Sequence, residues 1–182
     1  EEREGRFTDG QRDAYNTILE AVKANTPLCL FLDARGGCGK TYTLNAVLAA
    51  VRILEPEGCV ALAMATTGIA ANLLLLGRTF HSRMKAPLTP VEDSMLAIPG
   101  QGTLTKLLKR ARILLIDEAT MLHRYNLEAM DRTLRDILDD PRPFGGKVVV
   151  LTGDFRQTLP VVPRASRAGI VAVSYTHLTL PT

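Results

Sequence analysis

The chain lacks several things, and each absence removes a class of protein. Its three cysteines, Cys29, Cys38 and Cys59, are an odd set with no C-x-x-C pair. That argues against a disulfide framework or a structural zinc site and reads as a reduced, intracellular protein. No apolar run reaches membrane-spanning length, and the N-terminus has no signal-peptide pattern. Net charge is only +3, which permits a nucleic-acid partner without arguing for one. Aromatic residues are 5% of the chain, so base-stacking platforms are few. No internal repeat is visible. What remains is a chain of 182 residues, 46% hydrophobic, which suffices for one folded domain. It starts at Glu1 rather than Met and is expected to be cut from something longer.

Residues 34–41 read A-R-G-G-C-G-K-T, between the apolar run L-C-L-F-L-D and a helix-like stretch opening at about Lys40. Strand, glycine turn and helix are the setting of a phosphate-binding loop. Gly36, Gly37, Cys38 and Gly39 form the turn, its glycines letting successive backbone N–H groups face one anion. The helix start adds its positive dipole end. Lys40 supplies a point charge for the β- and γ-phosphates, and Thr41 a hydroxyl for Mg²⁺. A strict motif would have glycine where this chain has Ala34.

Periodicity places the rest. Ala14, Ile18, Ala21 and Val22 share a helical face, so Asp9–Ala24 is a helix with Thr8 or Asp9 as N-cap. Strands are expected at Leu28–Asp33, Val60–Met64, Ile113–Ile116 and Lys147–Thr152. Leu44, Val47, Leu48 and Val51 mark the helix after the loop. Leu127, Met130, Leu134 and Leu138 mark another, stopped by Pro141 and Pro143. Apolar strands alternating with helices predict an α/β fold, a parallel sheet with helices on both faces and ligands outside the carboxyl ends of its strands. Met84–Thr105, rich in proline and glycine, reads as a surface excursion.

The third strand delivers Asp117 and Glu118 at its tip. After a phosphate loop, such a pair is the second half of a P-loop NTPase site, with Asp117 on Mg²⁺ and Glu118 activating water. Without that loop the same pair would serve equally as a helix cap. The fourth strand ends in G-D-F-R-Q. Gln157 can donate and accept at once and so report on the γ-phosphate; Gly153 and Asp154 also suit a turn, with Arg156 solvated.

In combination, T-D-G-Q-R-D-A, G-G-C-G-K-T, A-T-T-G-I-A-A, G-R-T-F-H-S-R, L-L-I-D-E-A-T-M-L and L-T-G-D-F-R-Q-T-L-P-V-V-P resemble the first motor domain of the Pif-type (petite integration frequency) DNA helicases of superfamily I. The resemblance runs from about Thr8 to Val173. It implies a RecA-like P-loop NTPase domain over residues 1–173, using ATP and Mg²⁺. The activity implied is 5′-to-3′ travel on single-stranded DNA with duplex unwinding, in repair, recombination and telomere maintenance, in nucleus or mitochondrion if the source is eukaryotic. Gln11 would read adenine. Thr66, Thr67 and Gly68 would contact the strand backbone, and His81 and Ser82 would form a second strand-contacting element. On residues alone, Gln11 is an exposed first-turn residue, His81 a polar loop residue, and Thr66 and Thr67 helix caps.

Ser174–Thr182 fits nothing in the family and reads as translated adapter sequence, a non-native tail. The family's motors need a second RecA-like domain with an arginine on the γ-phosphate, so weak activity is expected of this chain alone. Two other readings stay open: a nucleotide- or strand-binding module without turnover, and a P-loop nucleotide kinase. The kinase gives no reason for G-D-F-R-Q.

Overall fold

A computed structural model describes residues 7–54, 60–157 and 166–172. The tail 174–182, Cys59 and the L-P-V-V-P stretch lie outside them. Helix α1 (Asp9–Ala24) begins at Thr8 with a reciprocal cap: Gln11 N–H donates to Thr8 Oγ1, and Thr8 N–H donates to Gln11 Oε1 at 3.0 Å. It buries Tyr15, Ile18, Leu19 and Val22, with Ala14 and Ala21 at the margins. Strand β1 (Leu28–Asp33), α2 (Lys40–Leu54) and β2 (Val60–Ala65) follow. Next come α3 (Gly68–Leu73), the two-residue β3 (Arg78–Thr79), α4 (Phe80–Met84) and α5 (Thr103–Arg110). Then β4 (Ala111–Asp117), α6 (Arg124–Leu138), β5 (Val148–Gly153) and α7 (Arg167–Ala172) complete the described strands and α-helices.

All pairings are parallel, in the order β1-β5-β4-β2-β3. Alternation along the strands splits the core in two. Ala61, Ala63, Ile113, Leu115, Val148 and Val150 face α1 and α2. Leu62, Met64, Leu114, Ile116, Val149 and Leu151 face α4, α5 and α6. The expected parallel sheet with helices on both faces is therefore the fold.

β1 has its expected limits, β2, β4 and β5 run slightly beyond theirs, and β5 starts one residue later. Lys147 lies outside β5, its ammonium donating to the carbonyls of Lys109 and Ala111. The Met84–Thr105 segment does run over the surface, with Leu88, Val91 and Met95 exposed, but it is anchored and ends in a helix. Leu96 is buried, and its N–H donates to Thr133 Oγ1 at 3.1 Å. Arg132 donates to the Ser94 carbonyl at 2.7 Å. Thr103–Arg110 is a helix with Thr105 and Leu108 buried. Proline and glycine shape this segment, but α6 holds it down.

Candidate active site

The loop between β1 and α2 curls through two positive-φ positions, Gly37 (φ 79°) and Gly39 (φ 78°). Only glycine takes these without strain. Lys40 opens α2, and its ammonium donates to the carbonyls of Ala34 at 2.5 Å and Arg35 at 3.4 Å. Thr41 sits in the same first turn, half-buried. The loop's own carbonyls thus hold the charge expected to meet phosphate. Cys38 is exposed in the loop. Cys29, in β1, is an inert thiol by contrast: burial, helped by the Asp131 charge, pushes it up to about 11.

At the tip of β4, Asp117 is buried beneath the loop network. Its Oδ1 accepts the Thr152 hydroxyl at 2.6 Å and the Glu118 N–H at 2.9 Å. Glu118 has left-handed backbone (φ 54°), uncommon for a residue with a side chain. Local hydrogen bonds fix it there. Its carbonyl accepts the Thr66 hydroxyl at 2.7 Å and the Met121 N–H at 3.0 Å. The Thr66 N–H donates to the Asp117 carbonyl at 3.2 Å. Burial raises the Glu118 pKa, Asp117 and Asp154 add to the rise, and Lys40 opposes it. A carboxylate tuned upward accepts a proton more readily than an ordinary one, as a general base must.

Sequence reasoning missed Asp154, which it left as a turn residue. The side chain is buried at the end of β5 and spans the site. Oδ2 accepts the Gly36 N–H at 3.1 Å and the Gln157 amide at 3.0 Å, while Oδ1 accepts the Arg156 N–H and guanidinium. The Arg156 N–H chiefly, then Gly36, holds the Asp154 carboxyl below the usual range despite burial. Arg156 also reaches Asp33 at 3.0 Å, tying the ends of β1 and β5. Gln157 packs so close to the loop that a Cβ at Gly36 would lie 2.7 Å from its amide nitrogen. The one sequence signal for Asp154 is an acid at a strand's carboxyl end.

Beside the loop, a cavity of about 400 Å³ opens between the first turn of α1 and the end of β1. Thr8, Gln11, Phe31, Ala34, Cys38 and Lys40 are among its lining residues. Gln11 is in the wall, but both ends of its amide are engaged: Oε1 by Thr8, Nε2 by the Cys38 carbonyl at 2.9 Å.

The strand-contacting candidates fall into two groups. Thr66, Thr67 and Gly68 lie at the carboxyl end of β2, beside the acids. Thr67 caps α3 through the Ala70 N–H at 3.2 Å, and Thr66 is committed to Glu118. His81 and Ser82 lie on α4 rather than in a loop. His81 is half-buried 3.4 Å from the Asn126 amide of α6, its pKa lowered by burial. Ser82 is exposed.

A parallel sheet with a phosphate loop beyond β1 and paired acids beyond β4 defines a RecA-like P-loop NTPase domain. The profile of the PIF1-like helicase family matches residues 6–180, and the chain belongs to that family. It is 35% identical over 152 residues to the ATP-dependent DNA helicase Pif1 of Psychrobacter, covering 81% of this chain and 22% of that protein. The crystal structure of Pif1 helicase from Candida albicans superposes with a TM-score of 0.72 at 27% identity, over 86% of this chain and 34% of that one. Bacteroides Pif1 in complex with ADP-AlF3 and single-stranded DNA gives 0.67 at 27% identity, over 87% and 35%. The chain thus spans about a fifth of the curated relative's length.

Proposed function

We propose that the chain is the ATP-binding half of a helicase motor that hydrolyses ATP to travel 5′ to 3′ on single-stranded DNA and open duplexes. Residues 1–173 are its first motor domain. Its settings are DNA repair, recombination and telomere maintenance, in the nucleus or mitochondrion of a eukaryotic source. Among the described residues no helix is long and apolar enough to cross a membrane.

The observation that carries this reading is the 2.7 Å bond from the Thr66 hydroxyl to the Glu118 carbonyl. It joins the loop proposed to grip DNA to the backbone of the proposed general base. A motor needs that linkage; a nucleotide kinase does not. In this reading Gly36, Gly37, Cys38 and Gly39 present backbone donors to the phosphates, and Lys40 exchanges its loop carbonyls for phosphate oxygens. Glu118 takes the proton of the attacking water, and Gln157, already packed on Gly36, reports the γ-phosphate. Gln11 reads the base by releasing Cys38 or Thr8. Thr67, Gly68, His81 and Ser82 line the strand path. Thr41 and Asp117 offer hydroxyl and carboxylate oxygen, the hard donors magnesium takes. When bound, magnesium would neutralise phosphate charge.

An arginine from a second domain is typically worth about 10³–10⁵ in rate, so this chain alone should bind ATP weakly and turn over slowly. The other reading, a nucleotide- and strand-binding unit without turnover, draws on Lys40 and Gly36 being engaged with the protein itself. ATP hydrolysis by a longer product carrying a second motor domain separates the two. DNA-stimulated hydrolysis lost on Glu118→Gln supports the motor. Hydrolysis indifferent to DNA and to Glu118→Gln overturns it.

A further inference from the structure

At the edge of the sheet opposite the phosphate loop, a second cavity of about 490 Å³ opens between β3, α4 and α5. Its wall carries Arg78, Arg83, Lys85, Lys106, Arg110 and Ser82, and among the described residues no acidic or aromatic one lines it. Arg78, Lys85, Lys106 and Arg110 are exposed. β3 is four strand positions from β1, about 19 Å at the usual strand spacing. A nucleotide on the phosphate loop does not reach it.

The cations here are set against one another. Arg83 donates to the Leu76 carbonyl at 3.0 Å, and Arg52, behind it, donates to the Leu75 carbonyl at 3.2 Å. Buried nitrogens of both, Nε of Arg83 and Nη1 of Arg52, have no hydrogen-bond partner. Among the described residues, Arg52, Arg78 and Arg83 make no salt bridge. Burial lowers the Arg83 pKa, and the charges of Arg78 and then Arg52 lower it further. Like charges set close together, as Arg52, Arg78 and Arg83 are, cost energy that a polyanion would offset.

We propose that this cleft is a binding site for a phosphodiester backbone, continuing the strand path from Ser82 along α5. Five side-chain cations around a trough give a grip on phosphates, and contacts to phosphates carry no sequence information. Lys106 and Arg110 are one helical turn apart on α5, a spacing of about 6 Å that suits consecutive phosphates. The site extends the strand-gripping half of the function proposed above, and does not depend on ATP chemistry.

The test is fluorescence anisotropy of the chain with labelled oligothymidylate of about 20 nucleotides and with a duplex of equal length, between about 50 and 200 mM salt. Arg78→Glu/Lys106→Glu changes two exposed side chains, and its Tm checks folding. The site predicts salt-dependent binding by wild type. In the double variant it predicts about tenfold weaker binding and a salt slope smaller by about 1.4 on the single strand. A preference for duplex over single strand would assign the same cleft to the duplex arm. Three results overturn the proposal: no salt-dependent binding of either oligonucleotide by wild type, unchanged affinity and slope in the variant, or stronger binding to phosphatidylserine vesicles that the variant abolishes. Nucleotide binding of wild type against Lys40→Ala, measured alongside, distinguishes this failure from failure of the ATP site.

Discussion

Thr152→Val removes one hydroxyl from the floor of the site and leaves side-chain volume nearly unchanged. Thr152 is wholly buried and Asp117 nearly so, and their hydrogen bond is 2.6 Å. A hydrogen bond to a carboxylate contributes about 1.5–3 kcal/mol, and a buried acceptor deprived of its donor is costly. Asp117 Oδ1 keeps the Glu118 N–H, so the loss belongs in the lower half, about 1.5–2 kcal/mol. At roughly 2–4 °C per kcal/mol for a domain of this size, Tm falls by about 3–8 °C. Urea denaturation and calorimetry measure both quantities. The attribution to this bond is tested by a cycle with Asp117→Ala. A coupling of about 1 kcal/mol or more is expected; additivity within about 0.3–0.5 kcal/mol refutes the reasoning. Magnesium dependence of nucleotide affinity weakens in Thr152→Val, because the carboxylate proposed to meet the ion loses its orientation.

Glu118→Gln abolishes hydrolysis yet raises stability at neutral pH. The fold holds Glu118's proton more tightly than the unfolded chain does, chiefly through burial. That contribution is full below the ordinary glutamate range and lost as pH rises through the elevated value, so the variant's Tm advantage should vanish in acid; an advantage independent of pH contradicts the assignment. Thr66→Val frees the left-handed Glu118 backbone and lowers DNA-stimulated hydrolysis by up to about tenfold, the equivalent of one neutral hydrogen bond, with KM for ATP held. A change in DNA affinity alone would show that Thr66 does not position Glu118. Gly77→Ala destabilises by about 1–3 kcal/mol, since its Cβ would lie 2.2 Å from the Ala71 carbonyl oxygen, a backbone atom with little room to move; unchanged stability in urea argues against that packing.

The four long strands were readable because each is a continuous apolar run; β4 ends in Asp117, and Asp154 follows β5. The face of α1 was equally plain, and its cap was narrowed to Thr8 or Asp9, of which the structure takes Thr8. Legibility failed where elements are short. β3 is two residues long and α4 five, too few for periodicity to register. α5 is preceded by Gly102, which offers no side-chain cap, so its start signal is missing although Leu104, Leu107 and Leu108 repeat with helical spacing. Leu96 lies in an apolar run of four, Met95–Ile98, too short for periodicity to register, and only Thr133, 37 positions away, reveals it as an anchor. In the site, types at strand tips were legible but partners were not. Asp154 meets Gly36 across 118 positions, and Thr66 meets Glu118 across 52. Sheet order alone creates such pairs.

Residues 34–41 are the proposed ATP site on which the motor depends. Equilibrium binding of a fluorescent, non-hydrolysable ATP analogue with Mg²⁺ to the 182-residue chain tests this most directly, comparing wild type with Lys40→Ala. Saturable binding that weakens by about tenfold or more in the variant, at least 1.4 kcal/mol, is the expected result. Equal affinity in the two proteins would contradict it.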